Sequence, residues 1–104
     1  KVIEVVVDLR KKSTTLAQHL SCTLRADDMT LLYIPAGLAH GFYTLDDAIF
    51  HYKCTDYYNP KAQLTIKWND PSLKIDWPSA NINLSNKDAH GRNFISLTDE
   101  ELAI

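Results

Sequence analysis

Two residues of this chain stand in settings suited to moving or holding a proton. His40 follows the bend Pro35-Ala36-Gly37, where proline fixes φ and glycine permits a tight turn before an apolar run resumes. A histidine at such a strand entrance suits a hydrogen-bond donor aimed at a substrate oxygen, or it caps the bend itself. Tyr52 lies in residues 48–55, where a period of two puts Phe50, Tyr52 and Cys54 on one face and Ile49, His51 and Lys53 on the other. From periodicity alone Tyr52 is a core aromatic whose hydroxyl finds a partner. A phenol in apolar surroundings also keeps its proton at neutral pH. His51 points away from Tyr52 and is not a base for the same site. Cys22 and Cys54 lie in separate apolar segments without metal-type spacing and read as buried free thiols.

The elements that must position these residues are short strands. Ile3, Val5, Val7 and Leu9 alternate with Glu4, Val6, Asp8 and Arg10, which predicts a half-buried strand beginning directly after Lys1, without a lead-in turn or initiating Met. Further strands are predicted over residues 17–24, with Cys22 inside, and over 31–34, 41–45, 48–55 and 65–68, with 48–55 the best of them. Asp27-Asp28, Asp46-Asp47, Asn59-Pro60 and Asn69-Asp70-Pro71 break the pattern. From Ile75 onward the chain reads as loop, and Trp68 and Trp77, beside turn residues, read as packing anchors. Thr98-Asp99-Glu100-Glu101 has the form of a capping box and predicts one short helical turn.

Short strands joined by short turns imply an all-β antiparallel sandwich. Roughly six strands are too few to close a jelly roll of about eight, so the open edges require cover from another chain or a missing segment, and a homodimer is expected. The 104 residues fit a single domain, residues 1–104. A net charge of −2 gives no general attraction to nucleic acid or an anionic membrane, so phosphate recognition has to be local. No stretch approaches the roughly 18 apolar residues of a membrane span, and no signal-peptide pattern is present, which makes a soluble cytoplasmic protein the default expectation.

Several motifs recur in a fixed order. Leu32-Tyr33-Ile34-Pro35-Ala36-Gly37-Leu38-Ala39-His40-Gly41-Phe42 is followed by Tyr52-Lys53-Cys54-Thr55-Asp56-Tyr57-Tyr58. Trp68-Asn69-Asp70-Pro71, Ile75-Asp76-Trp77-Pro78 and Leu84-Ser85-Asn86-Lys87-Asp88-Ala89 come after them. This series resembles the cupin-type deoxysugar-nucleotide epimerases of the dTDP-4-dehydrorhamnose 3,5-epimerase family. Val7-Asp8-Leu9-Arg10-Lys11 resembles the strand by which that family enters the second part of its barrel, so the likeness covers residues 1 to about 90. The family segment preceding that strand, with its catalytic His base, an Arg and a Lys, has no counterpart here.

The resemblance implies a cupin-like jelly roll, incomplete at the N-terminus, and epimerisation at C3 and/or C5 of a dTDP-4-keto-6-deoxy sugar in rhamnose biosynthesis. It implies Tyr52 as general acid, Asp88 as the carboxylate that orients the base, and His40 and Lys87 as substrate contacts. It makes Tyr58 the ring stacked on thymine, and Gln63 stands where the family commonly has a nucleotide-binding Glu. Solvated loop residues are the plain reading of Lys87 and Asp88. No metal or redox cofactor is implied. Pro35-x-Gly37-x-x-His40 also matches the second cupin motif, but the first, a His-x-His with a later Glu, is absent, leaving one ligand where a catalytic metal usually takes about three from protein. The alternative is a non-catalytic sugar-nucleotide-binding relative, or an inactive fragment lacking the His base.

Overall fold

Val2–Asp8 form β1 at the centre of a three-stranded antiparallel sheet, between β2 (His19–Leu24) and β3 (Leu38–Thr44). This computed structural model describes residues 1–57, 59–79 and 82–102. The valines of β1 suit a pleated strand because β-branched side chains lose little freedom there. Register sorts the side chains into two faces. Glu4 lies opposite Cys22 on β2 and Phe42 on β3, and Val6 lies opposite Leu20 and His40, so these residues share one face. Val5 and Val7, opposite Gly41 and Ala39, share the other.

The Val5 face builds the core. Val5, Val7 and Leu73 are buried, with Ile3, Leu9, Ala39, Ile66, Ile75, Trp77 and Phe94 packed against them. Each such apolar side chain, fully buried, is worth about 1.5–3 kcal/mol. The covering layer is irregular chain held by specific bonds rather than a second sheet. Ile66 and Arg92 form a parallel bridge, with the Lys67 amide donating to the Arg92 carbonyl at 2.8 Å and the Arg92 amide to that of Thr65 at 2.9 Å. Gly91 allows this approach, since a Cβ there would lie 2.7 Å from the Ile66 carbonyl carbon. The buried Asp70 carboxylate accepts from the Ser72 amide at 2.8 Å and from the Phe94 amide. Trp77 donates its indole N–H to the Trp68 carbonyl at 2.7 Å, which makes the expected anchor.

β1 and β2 are joined by a turn organised around Asp8. Its carboxylate accepts from Arg10 Nε and Nη2, both at 3.0 Å, from Ser13 Oγ at 2.6 Å and from Thr15 Oγ1 at 2.5 Å. The Arg10 guanidinium, followed by the two hydroxyls, holds this carboxyl far below the usual carboxylate range. At the far end of the chain the Thr98 amide donates to Glu101 Oε1 at 3.0 Å and the Glu101 amide to Thr98 Oγ1 at 3.3 Å, the reciprocal capping box predicted from sequence.

The all-β class holds, but several expected elements differ. Residues 31–34 and 48–55 are not strands, and residues 65–68 contribute one bridge at Ile66. Alternation specifies a strand only where a partner backbone completes the ladder, and β3 is the last strand of the sheet on that side. Cys54 is exposed and Cys22 half-buried, so the expected buried thiols are not found. The half-buried pattern of β1 is also corrected, because Glu4 and Asp8, assigned to its polar side, are buried with the valines. A central strand is covered on both sides, and these carboxylates are tolerated there because each has a hydrogen-bonding partner.

Candidate active site

The face of the sheet opposite the core carries the groups with chemical potential. Glu4, in the middle of β1, is 1% exposed, and its Oε1 lies 2.7 Å from His40 Nδ1 on β3. An ionised carboxylate only accepts hydrogen bonds, so Nδ1 donates and Nε2 remains for other work. The hydrogen bond to Glu4 raises the imidazole above its usual value; partial burial opposes the rise, and the nearby carboxylate charge adds to it. The His40 side chain is 48% exposed, so the pair is buried at its acid end and open at its imidazole end.

Two residues along β3, Phe42 continues the same face. Its ring stacks on Phe50 with centroids 4.4 Å apart and planes 12° from parallel, and Phe50 is followed by Tyr52 at 6.1 Å and 50°. Residues 48–55 are therefore attached to the sheet by side-chain stacking where a backbone ladder was expected. The arrangement brings two predicted site residues, His40 and Tyr52, to one side of the sheet. Tyr52 is 72% exposed, so it is not the core aromatic that periodicity alone suggests.

The other predicted residues lie elsewhere. Gln63 is exposed at the end of the 3₁₀ turn Pro60–Ala62, with its backbone N–H donating to the Pro60 carbonyl. Lys87 and Asp88 are on α1, the four-residue helix Asn86–Ala89, whose N-terminus is capped by Ser85 Oγ accepting from the Asp88 amide at 3.2 Å. Both side chains are exposed, and among the described residues nothing bonds the Asp88 carboxylate. Tyr58 lies outside the described residues. No hydrogen bond, ion pair or ring contact among the described residues joins Gln63, Lys87 or Asp88 to His40 or Tyr52. Nor do those residues contain a group of three His, Cys, Asp or Glu side chains able to hold a metal. An open recess of about 370 Å³ lined by Trp68, Asp70, Lys74 and Trp77 belongs to the core side of the sheet, away from His40.

The family model for dTDP-4-dehydrorhamnose 3,5-epimerase matches residues 1–96. The chain belongs to the dTDP-4-dehydrorhamnose 3,5-epimerase family. It is 46% identical over 96 residues to the epimerase of that name from Pseudomonas aeruginosa, covering 90% of this chain and 53% of that protein. With the Salmonella typhimurium epimerase it shares 45% over 91 residues, covering 86% and 50%. In three dimensions it matches the crystal structure of dTDP-6-deoxy-D-glucose-3,5-epimerase from Legionella pneumophila, in complex with dTDP-4-keto-L-rhamnose. That match has a TM-score of 0.88 at 38% identity, covering 98% of this chain and 55% of that one. The Elizabethkingia anophelis dTDP-4-dehydrorhamnose 3,5-epimerase matches at 0.85 and 40% identity, covering 90% and 53%. The chain thus spans about half the length of the relatives it matches, and its antiparallel sheet is that of the cupin-like epimerases. No helix among its described residues is long and apolar enough to cross a membrane.

Within the family frame Glu4 is the residue sequence reasoning missed. Its signal was present in Val2-Ile3-Glu4-Val5-Val6-Val7, where a lone carboxylate interrupts an otherwise apolar strand. Alternation assigned it to a wet face, and a position with strands on both sides decides otherwise.

Proposed function

We propose that this chain supplies the proton-donating side of an enzyme that epimerises C3 and/or C5 of a dTDP-4-keto-6-deoxy sugar. Membership of the epimerase family supports the reading, together with the presence of His40 and Tyr52 on one open face of the sheet. The C4 ketone acidifies the protons on C3 and C5, so a base can remove each in turn and leave an enolate. A donor at the ketone oxygen holds that charge, and an acid on the opposite ring face returns the proton with inversion.

In this reading Tyr52 is the acid, His40 contacts the sugar and Asp88 orients a histidine base. Tyr58 stacks on thymine, worth about 1–3 kcal/mol for such base stacking on nucleic acids. Gln63 and Lys87 complete the nucleotide contacts. Gln63 can still accept a hydrogen bond but carries no charge. Residues 1–104 work as one cupin-like unit, in a homodimer in the cytoplasm, without a redox cofactor. The ligand held by the Legionella enzyme is of the substrate class proposed.

A second reading, binding without turnover, is favoured by one observation: among the described residues no histidine meets Asp88. Incubation with dTDP-4-keto-6-deoxyglucose in deuterated water, followed by mass spectrometry of the sugar, separates the two. Deuterium at C3 or C5 above the spontaneous background supports the epimerase. No incorporation, with dTDP binding retained, overturns catalysis by this chain and leaves the binding relative.

A further inference from the structure

A fully buried carboxylate in the middle of a central strand is an expensive choice, because an apolar side chain of similar size would pack there without losing hydration. The neighbours of Glu4 on its own face of β1, Val2 and Val6, make that apolar choice. Glu4 differs from them in what it meets. It stands directly opposite Phe42, one diagonal step from His40, close enough for a 2.7 Å bond to Nδ1. Its second oxygen, Oε2, is buried without a hydrogen-bond partner among the described residues, so this carboxylate is spent on the histidine alone.

From this geometry we infer that Glu4 is the positioning residue for His40, holding it as an imidazolium with Nδ1 bound behind and Nε2–H presented to the substrate's ketone oxygen. This deepens the epimerase reading and rests on it. A charged donor is shorter and about twice as strong as a neutral one. It stabilises most where negative charge develops, and an enolate places that charge on the ketone oxygen. An imidazolium has no lone pair with which to abstract a proton, so the arrangement makes His40 a charge stabiliser and leaves the base to another group.

Other titratable groups share this face. The Cys22 thiol lies opposite Glu4 on β2, and the Tyr52 phenol is reached through Phe42 and Phe50. Asp8, further along β1, is saturated by Arg10, Ser13 and Thr15. Glu4 is the group in hydrogen-bond contact with His40.

The test is histidine-selective NMR of the full chain across pH, with wild type and Glu4→Gln compared. In the wild type His40 keeps its proton above pH 6.5, the ordinary histidine value. In Glu4→Gln its midpoint falls to that value or below. Deuterium incorporation into the sugar then drops in kcat by about 10–100-fold, the size of loss known for removing the partner behind a metal-bound histidine, with KM little changed. Glu4→Asp recovers part of both signals. A wild-type midpoint at or below 6.5 overturns the proposal without any variant, even if Glu4→Gln fails to fold. So does an unchanged midpoint in a folded Glu4→Gln chain. Absence of deuterium exchange in the wild type counts against the epimerase reading, whereas the titration decides the role of Glu4 separately.

Discussion

The two faces of one three-stranded sheet are built by different rules. On one, Val5 and Val7 pack against Leu73, Trp77 and Phe94, and the covering loops satisfy their backbone through Asp70 and the Ile66–Arg92 bridge. On the other, β1 presents a buried acid to a half-exposed histidine, and an aromatic stack runs outward to an exposed tyrosine. Adjacent residues of a single strand therefore face the core and the candidate site in turn. Substitutions on the two sides should fail in different assays.

The largest separation is expected at Tyr52. Tyr52→Phe should cost about 10²–10⁴-fold in deuterium return to the sugar, the usual worth of a general acid. Its folding stability should stay within about 0.5 kcal/mol, as for other exposed sites. An active Tyr52→Phe would break the assignment of chemistry to this face. On the other face, Leu73→Ala should lose about 2–5 kcal/mol in denaturant unfolding and leave the His40 titration where it was. Movement of His40 in that variant would show that the faces are coupled.

A smaller loss is expected from Gly91→Ala, whose Cβ meets the Ile66–Lys67 backbone. Overpacking of this kind costs about 1–3 kcal/mol and would show as a lower unfolding midpoint. Thr98→Ala, which removes half of the capping box, should cost about 1 kcal/mol by the same measurement.

The pH dependence sharpens the comparison further. His40 has a folded-state value raised above 6.5, so the stability it contributes is full below 6.5 and is lost as pH rises through the raised value. Glu101, drawn down to about 2 chiefly by its bond to Arg92, acts in the opposite direction: its contribution is present above 4.5 and is lost as pH falls towards 2. Unfolding midpoints measured across pH should show an alkaline loss that disappears in His40→Gln and an acid loss that is reduced in Glu101→Gln, the remainder belonging to Asp8 and Asp46, whose carboxyls are also drawn down.

Much of the candidate site's local structure was legible from residue order. Pro35, Gly37 and His40 marked a bend entering a strand, and the structure has Gly37 at φ 93° with β3 beginning at Leu38. Tyr52 was nominated by the motif around it, and the Thr98 box was legible through its spacing. Residues 48–55 misled because alternation reports which side chains could share a face, without reporting whether a backbone is there to pair with. Asp70 and Gly91 gave little warning, since their importance comes from a loop packed against a loop.

Sequence alone determined the family, the β character of the chain and the turn chemistry, and it nominated His40 and Tyr52 as candidates, because these depend on local conformational preference and on motif order. Only the tertiary structure decided that Glu4 is buried and bonded to His40, that Asp8 is held by Arg10, and that Tyr52 stands exposed at the end of an aromatic stack. Those outcomes depend on which strands flank β1 and how they are registered, and a pair of residues 36 positions apart meets only once that register is set.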